Sequence, residues 1–147
     1  ITEISLFREA FVLAVPEGHA LADRNQVHVT EINLRELLVL EQGNCLRDQA
    51  LDACGAKQIG DYRAIHATSL ETLRYMVATR IGIAILPQLA VSEAQESRLP
   101  IRYLPFALPE PGRTVGLVTR RYGAREQDVQ ALATFLRCHL PPGSAKV

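Results

Sequence analysis

The chain has 147 residues, 48% hydrophobic and 22% charged, enough apolar material for one globular domain or two small lobes with a real core. Lys plus Arg and Asp plus Glu both number 16 and no long run of either sign occurs, so the chain carries no electrostatic footprint for nucleic acid. Its longest apolar stretches, residues 10–15 and 81–86, fall far short of the roughly 20 residues needed to cross a membrane.

The opening residues lack the basic and apolar regions of a secretory signal. Three cysteines in a chain of this size fit a reduced, cytoplasmic setting better than a disulfide scaffold. The chain begins at Ile1 and alternates Ile4 and Leu6 at once, so a fragment starting in mid-domain is expected. Residues 11–15 read as a buried strand closed by Pro16 and Gly18. A polar loop follows, in which Thr30 caps a helical turn over 31–35 and Asn33 echoes a capping box. Residues 37–40 form a second strand ending at Gly43.

Residues 46–53 contain no Gly or Pro and read as helix, with Gly55 as its stop. Residues 62–66 alternate as a third strand. Thr68 and Glu71 then form a capping box before Leu70, Leu73, Met76 and Val77 at helical spacing. Residues 82–86 are an apolar, β-branched strand ended by Pro87, suited to a sheet covered on both faces, and 88–94 a short helix. Residues 101–104 are a further strand, and Pro105, Pro109 and Pro111 make a stiff connector between lobes. Residues 113–119 return to strand. Residues 126–139 form the last helix, with Val129, Leu132, Phe135 and Leu136 as its buried stripe, and a disordered tail covers 141–147. Alternating strands and helices predict an α/β fold with mainly parallel sheets.

Cys45 and Cys54 stand nine residues apart around the predicted helix. On a continuous helix that is about two and a half turns and a rise of roughly 13 Å, with the thiols on opposite sides, whereas a disulfide tolerates a Cα separation of about 4.4–6.8 Å. If the two pair, the helix must melt. Thiolate is the reactive form, favoured by a helix N-terminus and a nearby cation; Cys45, preceding the helix and two residues from Arg47, has both in prospect. Asp48 is placed to accept a proton or hold a polar oxidant. Cys54, between Ala53 and Gly55, looks like a buried small residue. The residues alone thus leave two readings, an attacking and a resolving thiol or two unreactive core cysteines. Cys138 reads as structural. His19, His28, His66 and His139 are scattered without metal-ligand spacing, and no phosphate loop occurs, so no metal and no cofactor is expected.

The run Gly43-Asn44-Cys45-Leu46-Arg47-Asp48-Gln49-Ala50, with Cys54 beyond it, then Thr68-Ser69-Leu70-Glu71-Thr72-Leu73 and Gly82-Ile83-Ala84-Ile85-Leu86-Pro87, closely resembles OxyR, the peroxide-sensing branch of the LysR-type transcriptional regulators. The last two pieces resemble LysR-type effector domains generally; the cysteine segment points to the OxyR branch. Pro109-Glu110-Pro111-Gly112-Arg113-Thr114 extends the likeness over nearly the whole chain.

The resemblance implies a periplasmic-binding-protein-like effector domain of two subdomains: residues 1–11 and 111–140 from the first, left incomplete, and 12–110 as the second, with a redox segment at 43–55. It implies Cys45 as the peroxidatic cysteine and Cys54 as its disulfide partner, with Asn44, Arg47, Asp48, Thr68 and Ser69 supporting the thiol or binding peroxide. It implies a regulator rather than an enzyme, whose partners are hydrogen peroxide, a second copy in a homodimer and tetramer, DNA through an absent helix-turn-helix domain, RNA polymerase and a cellular thiol reductant, with no membrane. Asn44 departs from the family, many of whose members carry His before the reactive cysteine. Two alternatives of other classes are a small-ligand effector domain with a cleft near Thr68 and Ser69, and a thiol peroxidase.

Overall fold

The computed structural model describes residues 1–55, 65–91, 99–120 and 125–146. Its spine is strand β1 (Thr2–Pro16), one continuous strand of 15 residues that serves two sheets in succession. A register shift between Ser5 and Phe7 changes which face is buried: Leu6 is inside before it, and Phe7, Glu9 and Phe11 after it. From Phe11 onward every residue of β1 is buried, as expected for a strand covered on both faces.

The other strands are β2 (Leu37–Leu40), β3 (His66–Ala67), β4 (Ile83–Pro87), β5 (Ile101–Pro105), β6 (Gly112–Thr119) and β7 (Ser144–Lys146). One sheet has the order β3-β2-β4-β1-β5, while the first half of β1 pairs with β6 and β7. β2 is parallel to β3 and β4, and β1 is antiparallel to each of its four neighbours. The parallel arrangement read from alternating strands and helices therefore holds for β3-β2-β4. Alternation signals those crossovers but carries no information on β1, which enters from the other sheet.

Helix α1 (Cys45–Ala53) buries Leu46, Ala50 and Leu51, and helix α2 (Leu70–Ala78) buries Leu73, Arg74 and Val77. Both cover a core of Phe11 to Val15, β2, β4, Ile101, Leu104 and Phe106. Gly82 is required where α2 returns to β4, because a Cβ there would lie 2.3 Å from the Glu36 carbonyl oxygen. Helix α3 (Glu126–Cys138) packs on the second sheet over a smaller core of Leu6, Phe7 and Ala133.

Several boundaries differ from the sequence expectation. The turn placed at 31–35 is a short 3-10 segment at Val29–Glu31, and the Glu31 carboxylate accepts from the His28 N–H at 2.8 Å; Asn33 instead bonds Glu36 and the Arg35 N–H. Ser69, not Thr68, caps α2, because its Oγ accepts from the Thr72 N–H at 3.1 Å. The segment after β4 is a 3-10 turn at Gln88–Ala90, and the remainder of that predicted helix, like residues 62–64 of the third strand, lies largely outside the described residues. On α3 the contact stripe is Ala133 with the half-buried Leu136, joined by Leu140 just beyond the helix, while Leu132 and Phe135 are 48% and 57% exposed. The small sheet beneath covers only one side of the apolar arc. The predicted disordered tail contains β7: Gly143 adopts φ +82°, Ser144 closes a turn on Pro141, and Ser144 to Lys146 pair with Glu9 to Phe7.

Where β1 passes between the sheets, Glu9 is buried to 1% exposure. Arg113 Nε of β6 donates to it at 2.7 Å and the Leu89 N–H, after β4, at 2.9 Å, so one carboxylate ties the two sheets together.

Candidate functional site

β2 and β3 end side by side. Leu40 is in register with Ala67, and the Glu41 N–H donates to the Ala67 carbonyl at 3.0 Å. Each strand then turns into a helix, β2 through residues 41–44 into α1 and β3 through Thr68 and Ser69 into α2. Adjacent strands lie about 4.8 Å apart, so two helix starts share one edge of the sheet, at the carboxyl ends of parallel strands where open α/β sheets form their binding crevices. Cys45, Asn44, Thr68 and Ser69 are all exposed on this edge.

The local sequence explains why α1 starts at Cys45. Gly43 adopts φ +93°, a left-handed conformation that favours glycine. Asn44 is the N-cap: its side-chain oxygen accepts from the Leu46 N–H at 3.0 Å, and its carbonyl accepts from the Arg47 N–H at 3.0 Å. Asn is among the best N-cap residues. The residue that departs from the family pattern thus has a structural role in holding the first turn around the thiol.

Cys45 and Cys54 are both free thiols. Cys45 is the first helical residue and Cys54 the C-cap, followed by Gly55 at φ +64°, so the entire helix separates them, with a rise of about 13 Å. Leu46, Ala50 and Leu51 define the buried face of α1, and Arg47 and Cys54 fall within the same arc. Cys54 accordingly packs against the core, and burial pushes its thiol up from 9.0 to about 11. Asp48, three residues from Cys45, shares its side of the helix. Arg47 points to another side, is 21% exposed, and reaches the Asp48 carboxylate at 3.9 Å.

Two polar atoms of α1 are buried without a hydrogen-bond partner among the described residues, Arg47 Nε and Gln49 Oε1. In the sequence Gln49 reads as an ordinary helix former. Its place three residues after the buried Leu46 was the available signal. A cavity of about 270 Å³, lined by Gly18, His19, Glu36 and Arg80 among others, contains none of the site residues. His19 there bonds Glu36 at 3.1 Å and accepts from the Leu21 N–H at 3.2 Å. Among the described residues no group of three or more His, Cys, Asp or Glu side chains is arranged to hold a metal ion.

Residues 1–141 match the family described as LysR substrate binding domain. The DNA-binding transcriptional dual regulator OxyR of Escherichia coli K12 is 41% identical over 138 residues, which are 94% of this chain and 45% of that protein. A solved structure of the reduced form of OxyR superposes with a TM-score of 0.83 at 40% identity, over 96% of this chain and 65% of that one. The oxidised form gives 0.74 at 41% identity, over 93% of this chain and 64% of that one. The chain thus spans about half the length of the curated relatives it matches, and with α1 intact it superposes better on the reduced form than on the oxidised.

Proposed function

Because the chain belongs to the LysR substrate-binding domain family, we propose that it is the hydrogen-peroxide-sensing regulatory part of a LysR-type transcription regulator, switched by a Cys45–Cys54 disulfide. The observation that carries this reading is a nine-residue helix with an exposed cysteine as its first residue and a half-buried cysteine at its last turn.

The thiolate of Cys45 attacks one peroxide oxygen, the O–O bond breaks, and sulfenic acid and hydroxide form. The Cys54 thiolate then attacks the Cys45 sulfur, the S–S bond forms as the S–O bond breaks, and the second oxygen leaves as hydroxide, which takes up a proton from solvent to become water. The two thiols supply the two electrons that reduce peroxide. Since an intact α1 holds the sulfurs too far apart, the second step requires residues 43–55 to refold. Closing a loop of about ten residues constrains the chain by roughly 2–4 kcal/mol, comparable to ordinary allosteric coupling. Asn44 holds the first turn, Asp48, Thr68 and Ser69 face the reacting edge, and Arg47, turned to another side of α1, acts on the thiol only through its contact with Asp48.

Residues 1–11 and 111–140 form one subdomain and 12–110 the other, and refolding of α1 changes how they present themselves to a second copy in a dimer and tetramer. The position of α1 against both β2 and β6 supports this route. DNA and RNA polymerase are engaged by the longer regulator, in the cytoplasm, and a cellular thiol resets the switch. Among the described residues, no helix is long and apolar enough to cross a membrane.

The test treats reduced protein with equimolar peroxide, maps disulfides by peptide mass and follows far-ultraviolet circular dichroism, with Cys45→Ser and Cys54→Ser alongside. A Cys45–Cys54 bond with loss of helical signal is expected in the parent chain alone. Absence of that bond, or its formation with unchanged helicity, contradicts the switch; rapid turnover with a thiol donor points to a peroxidase.

A further inference from the structure

Resting on that reading, we infer that Gln49 is a positioning residue that sets the speed of disulfide closure, because its side chain keeps α1 incompletely satisfied and ready to open. A nine-residue helix is too short to persist in water by itself, so tertiary contacts decide whether it is folded. Three buried side chains hold it down, Leu46, Ala50 and Leu51. Against them stand Gln49 Oε1 and Arg47 Nε, both cut off from solvent with no partner among the described residues. Each such atom shifts the balance between folded and open helix toward opening by about five- to a hundredfold, because it recovers its hydrogen bond only when water reaches it. The same opening carries Cys54 out of the core.

The two chemical steps respond differently to this equilibrium. Attack of Cys45 on peroxide uses an exposed sulfur on the intact helix and does not require opening. Capture of the sulfenic acid by Cys54, with formation of the S–S bond and release of water, proceeds only from the open segment. Its rate therefore scales with the fraction of chains in which α1 is open.

Gln49→Leu keeps the size and removes the orphan polar group. Reduced chain and variant are mixed with peroxide in a rapid-mixing instrument, sulfenic acid is trapped with a dione reagent, and the disulfide is quantified by peptide mass; amide exchange of 46–53 is measured in the reduced state. Sulfenic acid should form at the parent rate, within about twofold. Disulfide closure should slow about tenfold, with exchange of the α1 amides slowed by the same factor. Leu51→Ala, which loosens the same helix, should act in the opposite direction on both readouts. Closure and exchange at parental rates in Gln49→Leu, or unchanged closure in Leu51→Ala, would overturn the inference while leaving the switch intact. If the parent chain forms no Cys45–Cys54 bond, it is the functional reading above that fails.

Discussion

The half-buried position of Cys54 leads to a quantitative expectation for its reactivity. Burial raises its thiol from 9.0 to about 11, so near pH 7.5 its thiolate fraction is about a hundredfold smaller than in the unfolded chain. A more basic thiolate is also a better nucleophile, and a Brønsted slope of about 0.45 over that interval returns a factor of about eight. The net expectation is that Cys54 exchanges with a small disulfide reagent about tenfold more slowly in the folded chain than in urea. The variant carrying Cys45→Ser and Cys138→Ser leaves Cys54 as the only thiol, and release of the aromatic leaving group can be followed by absorbance. Equal rates in folded and unfolded protein would refute the argument, since they would mean that the helix end does not shield the sulfur.

Two further expectations concern the same segment. Asn44→Ala removes the Leu46 N–H bond and should weaken α1 by about 1 kcal/mol, read as roughly fivefold faster exchange of the first-turn amides; Asn44→Asp should restore protection. For the pH dependence, Cys54 has its folded value raised, so its contribution to stability is complete below about 9 and is lost as pH rises through about 11. Anaerobic urea titrations should therefore show about 1–2 kcal/mol of lost stability across that window, after discounting for partial exposure, and Cys54→Ser should flatten the slope.

Several parts of this architecture are set by neighbours in sequence. Asn44 and Gly55 bracket α1, the 83–86 run is buried throughout, and Ser69 stands within one residue of the predicted cap. Caps and periodicity act over three or four residues, so their chemistry is visible in a single strand of letters. Competing caps are less so: Thr68 and Ser69 are both competent, and the backbone leaving β3 decides between them.

The amino-acid sequence by itself determined the helix between two cysteines and hence the geometric barrier to joining them, because rise per residue is a local property. Only the tertiary structure decided that, among the described residues, Gln49 Oε1 and Arg47 Nε are buried without a partner, and that Glu9 bonds Arg113 of its neighbouring strand while also accepting from the Leu89 N–H beside the other sheet. The same holds for β7 and for the exposed Leu132 and Phe135 on α3. Burial and register depend on which distant segments arrive at a given face, and the shift between Ser5 and Phe7, after which the Glu9 carboxylate turns inward two residues before the fully buried run at Phe11, comes from pairing with β6 more than one hundred residues away.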